Sequence, residues 1–123
     1  MNFIDTNVLV LASYENPQQL PCQQVIREGG VINALVLSET FTVLERIVDR
    51  KVAQNAIASF LRSNLEVVDL DASAIFAALK QSKRIDLRFF DLIHYMTALA
   101  HECAAIISFD KDFDKLDLPR IEP

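Results

Sequence analysis

An α/β fold with a mostly parallel sheet is predicted by three features of this 123-residue sequence. Short apolar runs alternate along the chain with longer segments of helical periodicity, the pattern of strand–helix–strand units. Glycine and proline are scarce, two and four residues, so connections are short and helix is favoured. The first apolar run, Phe3-Ile4, and a late one, Ala105-Ile106-Ile107-Ser108-Phe109, each lead into an aspartate, Asp5 and Asp110. Open α/β sheets place their ligands at such strand ends.

Residues 2–5 read as the first strand. Thr6 can cap a helix through Val8, Leu9, Leu11 and Ala12, broken at Asn16-Pro17. Pro21 to Arg27 suggests a second helix, stopped by Gly29-Gly30. Residues 31–34 form the second strand, followed by helical periodicity from about Val36 to Val48 and again from about Val52 to Leu61. Leu65 to Val68 is the third strand, and Asp71 or Ser73 caps a helix reaching Ser82. Phe89 to Glu102 is the most strongly helical segment. Ala104 to Ser108 is the fourth strand, with a helical turn at 112–115 and an extended piece near Arg120-Ile121.

Length and a 51% apolar content bound the chain to one domain, 1–123, able to bury roughly 65% of its unfolded surface. Cys22 and Cys103 lack metal-ligand spacing and read as reduced thiols of a cytoplasmic protein. No leader-like or membrane-length run is expected. A net charge of −5 argues against nucleic-acid binding by bulk charge, although carboxylates gathered in a pocket lower the net charge while leaving a basic rim. Tyr14, Phe41, Phe60 and Phe76 are expected in the core rather than on a base-stacking platform.

The carboxylates carry the chemistry. Glu39 lies near the start of its helix, where the dipole favours an acid. Asp91 is embedded in Phe89-Phe90-Asp91-Leu92-Ile93, and a carboxylate in such surroundings needs either a capping role or a partner. Asp110 opens an alternating run with Asp112 and Asp114. This is not a calcium loop, because Lys115 and Ile121 stand where glycine and glutamate are required. Asp5, Glu39, Asp91 and Asp110 all lie at element ends that a parallel sheet gathers on one edge. Oxygen-only ligands suit Mg²⁺ or Mn²⁺, and such ions support phosphodiester hydrolysis.

At these residues the chain resembles the PIN-domain family of Mg²⁺/Mn²⁺-dependent ribonucleases, many of them toxins of VapBC-type toxin–antitoxin pairs. The resemblance rests on Phe3-Ile4-Asp5-Thr6-Asn7, Ser38-Glu39, Phe90-Asp91-Leu92-Ile93 through Thr97-Ala98-Leu99-Ala100, and Ile107-Ser108-Phe109-Asp110-Lys111-Asp112-Phe113, with Ser108 where threonine is commoner. All four stand in the family's order across nearly the whole chain. The resemblance implies a three-layer α/β/α fold with four or five short strands. It also implies a metal site of Asp5, Glu39, Asp91 and Asp110 and endonucleolytic cleavage of RNA. A homodimer and an antitoxin partner are further implications. Asp112 or Asp114 can take the fourth acid's place.

Thr6 and Asn7 can support Asp5 from alongside, or serve only as cap and turn. Arg46, Arg50 and Lys51 form either a solvated helix face or a phosphate-contacting rim, and Arg84 and Arg88 precede Asp91 where a substrate backbone would pass. His94, one turn after Asp91, reads chiefly as a packed histidine, with a ligand or acid–base role as the sharper option. The Val52–Leu61 segment, poor in charge, is a candidate dimer face. A receiver-type signalling domain is the rival from another class. It requires paired acids after the first strand, whereas Asp5 is unpaired and Asp69 lacks the surrounding pattern.

Overall fold

The computed structural model describes residues 1–123. Strands β1 (Phe3–Ile4), β2 (Gly30–Asn33), β3 (Leu65–Val68), β4 (Ile106–Ile107) and β5 (Arg120–Ile121) form one sheet in the order β3-β2-β1-β4-β5. Every pairing is parallel. Six helices complete the three layers: α1 (Thr6–Ala12), α2 (Gln19–Glu28), α3 (Ala34–Ile47), α4 (Arg50–Leu61), α5 (Ala72–Ser82) and α6 (Phe89–Ala100). A short 3-10 turn spans Lys111–Lys115.

The strand order explains where a site can form. The chain steps outward from β1 to β2 to β3, then returns past β1 to β4 and β5. Right-handed crossovers put α1–α4 on one face of the sheet and α5–α6 on the other. The reversal falls between β1 and β4, and a crevice opens beyond the carboxyl ends of strands at such a point. A receiver has the order 2-1-3-4-5, so that rival is set aside.

The central strands are covered on both faces, which is why they read as continuous apolar runs rather than as alternating ones. Phe3, Ile4, Ile32 and Ile106 are fully buried, as is Phe113 of the 3-10 turn. Close approach is built in at Gly30. A Cβ there would lie 2.8 Å from the Asn2 carbonyl oxygen and 2.7 Å from Ile4 Cδ1. Gly29, with φ of 89°, ends α2 in the left-handed region that glycine favours.

Several boundaries shift for identifiable reasons. Asp5, not Thr6, caps α1, its Oδ1 accepting from the Thr6 amide at 2.8 Å. Helix α3 starts at Ala34 because Asn33 ends β2 and caps the helix, its Oδ1 accepting from the Val36 amide at 3.0 Å. Asp49 and Asp71 cap α4 and α5 in the same way. The fourth strand pairs over only two residues. Phe60 is buried, whereas Tyr14 and Phe41 are half-buried and pack against a satellite cluster beneath α3 and α4. Phe76 departs from its expected core position: it is 62% exposed on the outer face of α5. Cys22 and Cys103 are unpaired and buried, and burial pushes both thiols up, Cys22 to about 11. No helix is long and apolar enough to cross a membrane.

Candidate active site

The crevice beyond β1 and β4 contains a cavity of about 350 Å³ lined by Asp5, Glu39, Asp91 and Asp110, with Thr6, Asn7 and Arg88 between them and Val10, Leu11 and Val43 as an apolar wall. These acids come from four separate stretches of sequence, and the fold brings all of them to one cleft. A larger cavity of about 640 Å³ lies between α2 and α4, but Arg27 is its only charged lining residue. Size and chemistry therefore separate, and the acid-lined cleft is the better reactive site.

Asp5 has the most hydrogen-bond partners of the four acids. It is 6% exposed, and its Oδ2 accepts from Ser108 Oγ at 2.7 Å and Asn7 Nδ2 at 3.3 Å. Ser108, fully buried after β4, in turn accepts from Asn7 Nδ2 at 3.1 Å and from the Asp110 amide at 2.9 Å. Asn7 closes the loop by accepting from the Phe109 amide at 3.4 Å. Burial raises the Asp5 carboxyl above its ordinary value, and the Ser108 hydrogen bond only partly offsets this.

Glu39 does not sit in the first turn of its helix. With α3 starting at Ala34 it falls in the second turn, beyond the reach of the dipole argument. Two side chains hold it instead: Thr6 Oγ1 donates to Oε1 at 2.9 Å, and His94 Nε2 lies 2.8 Å from the same oxygen. Burial works against the Glu39 anion, but these contacts outweigh it, and the carboxyl lies below its usual range.

The sequence undervalued His94. It is packed, 1% exposed, yet also bound to an acid of the site. Because the Asn33 Oδ1 is committed to the Val36 amide, its Nδ2 must face His94 Nδ1 at 3.2 Å and Thr97 Oγ1 at 3.0 Å. An amide nitrogen only donates, so Nδ1 accepts and Nε2–H is aimed at Glu39. The visible signal was helical spacing, which puts Asp91, His94 and Thr97 on adjacent faces of α6.

Asp91 is the third residue of α6 and caps nothing; the cap position is Arg88, without a side-chain capping bond. The Asp91 carboxylate is buried and is met by Arg88, Nε at 3.0 Å from Oδ2 and Nη2 at 3.4 Å from Oδ1. Burial raises its carboxyl despite this partner. Asp110 lines the cleft and also caps the 3-10 turn, Oδ1 accepting from the Asp112 amide at 2.9 Å, while Oδ2 lies 3.7 Å from Arg88 Nη2. Asp112 and Asp114 do not line the cleft. Asp112 is exposed, and Asp114 pairs with Arg120 at 2.9 Å.

Of the basic residues singled out, only Arg88 reaches the cleft. Arg50 pairs with Glu45 at 3.4 Å, Arg84 lines a separate depression with Lys80 and Lys83, and Arg46 and Lys51 are exposed. No three metal-ligating side chains are close enough to form a finished cage. An all-oxygen, open-sided cleft still fits Mg²⁺ or Mn²⁺, since Mg²⁺ keeps several waters and commonly takes only one or two carboxylates. Asp5 and Asp91 are both buried at this edge of the cleft, where a cation would offset the cost of their charge.

The fold thus has three layers about one parallel sheet, with an acid-lined cleft at the sheet's switch point. The PIN-domain family model matches residues 3–118, and the chain belongs to that family. No curated protein matches it by sequence. Among solved structures, the chain is similar to VapC20 of Mycobacterium tuberculosis, described as a sarcin–ricin-loop-cleaving toxin, with a TM-score of 0.87 and 19% identity over 100% of both chains. It is also similar to VapBC2 of Rickettsia felis bound to a promoter DNA fragment, with a TM-score of 0.77 and 17% identity over 99% of this chain and 98% of that one. A Klebsiella pneumoniae toxin–antitoxin complex gives a TM-score of 0.74 and 13% identity over 98% and 96%. The chain thus has the fold of VapC-type toxins.

Proposed function

We propose that residues 1–123 form one PIN-like unit acting as a divalent-metal-dependent endoribonuclease, the toxin of a VapBC-type pair. The observation that carries this reading is the convergence of Asp5, Glu39, Asp91 and Asp110 on one cleft at the sheet's switch point. Asp5, Asp91, Glu39 and Asp110 would hold Mg²⁺ or Mn²⁺. Such an ion, when bound, activates water and stabilises the leaving oxygen of a phosphodiester.

The chain's own residues supply the rest. Ser108 and Asn7 fix the Asp5 carboxylate, while Thr6 and His94 fix Glu39, so these two acids are preorganised. Val10, Leu11 and Val43 limit water on one wall of the cleft. Single-stranded RNA, whose phosphates can enter an open cleft, is the substrate class. An antitoxin partner and a cytoplasmic location belong to this reading; the similar structures from K. pneumoniae and R. felis are toxin–antitoxin complexes. A second copy is a further partner in this reading, and the exposed apolar side chains that would serve it are Leu61 in the Val52–Leu61 segment and Phe76, Leu79 and Phe90 on α5 and α6.

Purified protein stripped with EDTA is expected to leave single-stranded RNA intact and to cleave it internally once Mn²⁺ or Mg²⁺ is returned. Cleavage that persists undiminished in EDTA would sink the metal-dependent reading.

A further inference from the structure

The acids of the cleft divide into two pairs held in different ways. Asp5 and Glu39 are fixed by buried groups, Ser108 at 0% exposure and His94 at 1%. Asp91 has Arg88 as its only side-chain partner, although its own side chain is 4% exposed. The Asp110 Oδ2 likewise faces only Arg88. The Arg88 side chain is 74% exposed, while its carbonyl oxygen is tied to the Leu92 amide at 3.1 Å. An exposed guanidinium on a fixed backbone therefore bridges the other two acids.

We propose that Arg88 is a built-in counter-ion: it neutralises Asp91 and Asp110 in the metal-free protein, yields their oxygens to the divalent ion, and is thereby released to contact the phosphate of the RNA. The inference rests on the metal-dependent reading. A planar guanidinium spans two carboxylates but competes poorly with a divalent charge, because its exposed end is screened by solvent and holding the long side chain in place is costly in entropy. Once both acids are taken, the nearest ligand of matching charge is the phosphate oxygen, for which the guanidinium fork is suited.

The test compares wild type, Arg88→Gln, Arg88→Lys and Asp91→Asn, with Mn²⁺ binding measured by calorimetry and folding checked by melting. Arg88→Gln is expected to bind Mn²⁺ about tenfold more tightly than wild type, with Arg88→Lys between them, because lysine keeps the charge and loses the fork. In ¹⁵N spectra the Arg88 Nε–H, assigned by its absence from Arg88→Gln, is expected to be protected without metal and to lose protection on adding Mg²⁺. At saturating Mn²⁺, Arg88→Gln is expected to cleave RNA about tenfold more slowly. Equal Mn²⁺ affinity in Arg88→Gln and wild type, an Nε–H still protected with Mg²⁺ bound, or unchanged cleavage would overturn the proposal. If wild type binds Mn²⁺, Asp91→Asn loses it and Arg88→Gln matches wild type, the Arg88 role fails while the metal reading stands. If no form binds Mn²⁺, both fail.

Discussion

At the scale of single residues, Asp5 and Asp91 are both buried and both pushed up by desolvation, yet their neighbours differ. Asp5 accepts from the Thr6 amide, Ser108 and Asn7, so an asparagine there turns an NH₂ group toward donors. Asp91 faces only an exposed arginine. Asp5→Asn is therefore expected to lower the melting temperature of the metal-free protein, and Asp91→Asn to leave it unchanged or raise it. The pH dependence follows with a definite sign. A carboxyl raised in the fold adds stability that is complete below its ordinary value of 3.8 and is lost as pH rises through the raised value. Asp91→Asn should thus flatten the loss of stability as pH rises from 3.8 through the raised value, measured by urea unfolding across a pH series. Glu39, held low, behaves oppositely: its contribution is present above 4.5 and is lost as pH falls through its lowered value.

Among the elements, α3 and α6 are tied together by Asn33, which caps the first and donates to His94 and Thr97 of the second. Asn33→Ala removes the cap and leaves buried groups unpaired. It is expected to cost about 2–3 kcal/mol in denaturant unfolding and to lower activity through a loosened Glu39. This tie was hidden in the sequence for a physical reason. In the sequence Asn33 reads as lying inside a strand that runs to Ala34, which starts the helix two residues late and puts Glu39 in its first turn. The His94–Glu39 contact, 55 residues apart, depends on how α6 is rotated against α3, which periodicity does not specify. Asp5 and Asp110 were legible because a strand end is a local feature. Asp91 was legible because an acid among bulky apolar residues conflicts with its surroundings. Phe76 was misplaced because an amphipathic pattern does not distinguish a core face from an uncovered one.

For the whole molecule, strand alternation and the scarcity of glycine were sufficient for the α/β class and its order of elements. The strand order β3-β2-β1-β4-β5, which places the cleft, came only with the tertiary structure. That order brings four acids spread over more than a hundred residues to one edge. On the proposed reading a bound divalent ion would offset the cost of their burial and repulsion, so Mn²⁺ should raise the melting temperature of wild type in a concentration-dependent way but not that of Asp91→Asn. The metal-site assignment turns on cleavage of single-stranded RNA at saturating Mn²⁺, compared among wild type, Asp5→Asn and Asp91→Asn. Losses of more than about 100-fold in both variants, with Asp91→Asn still folded, are expected. Variants that both cleave as fast as wild type would contradict it.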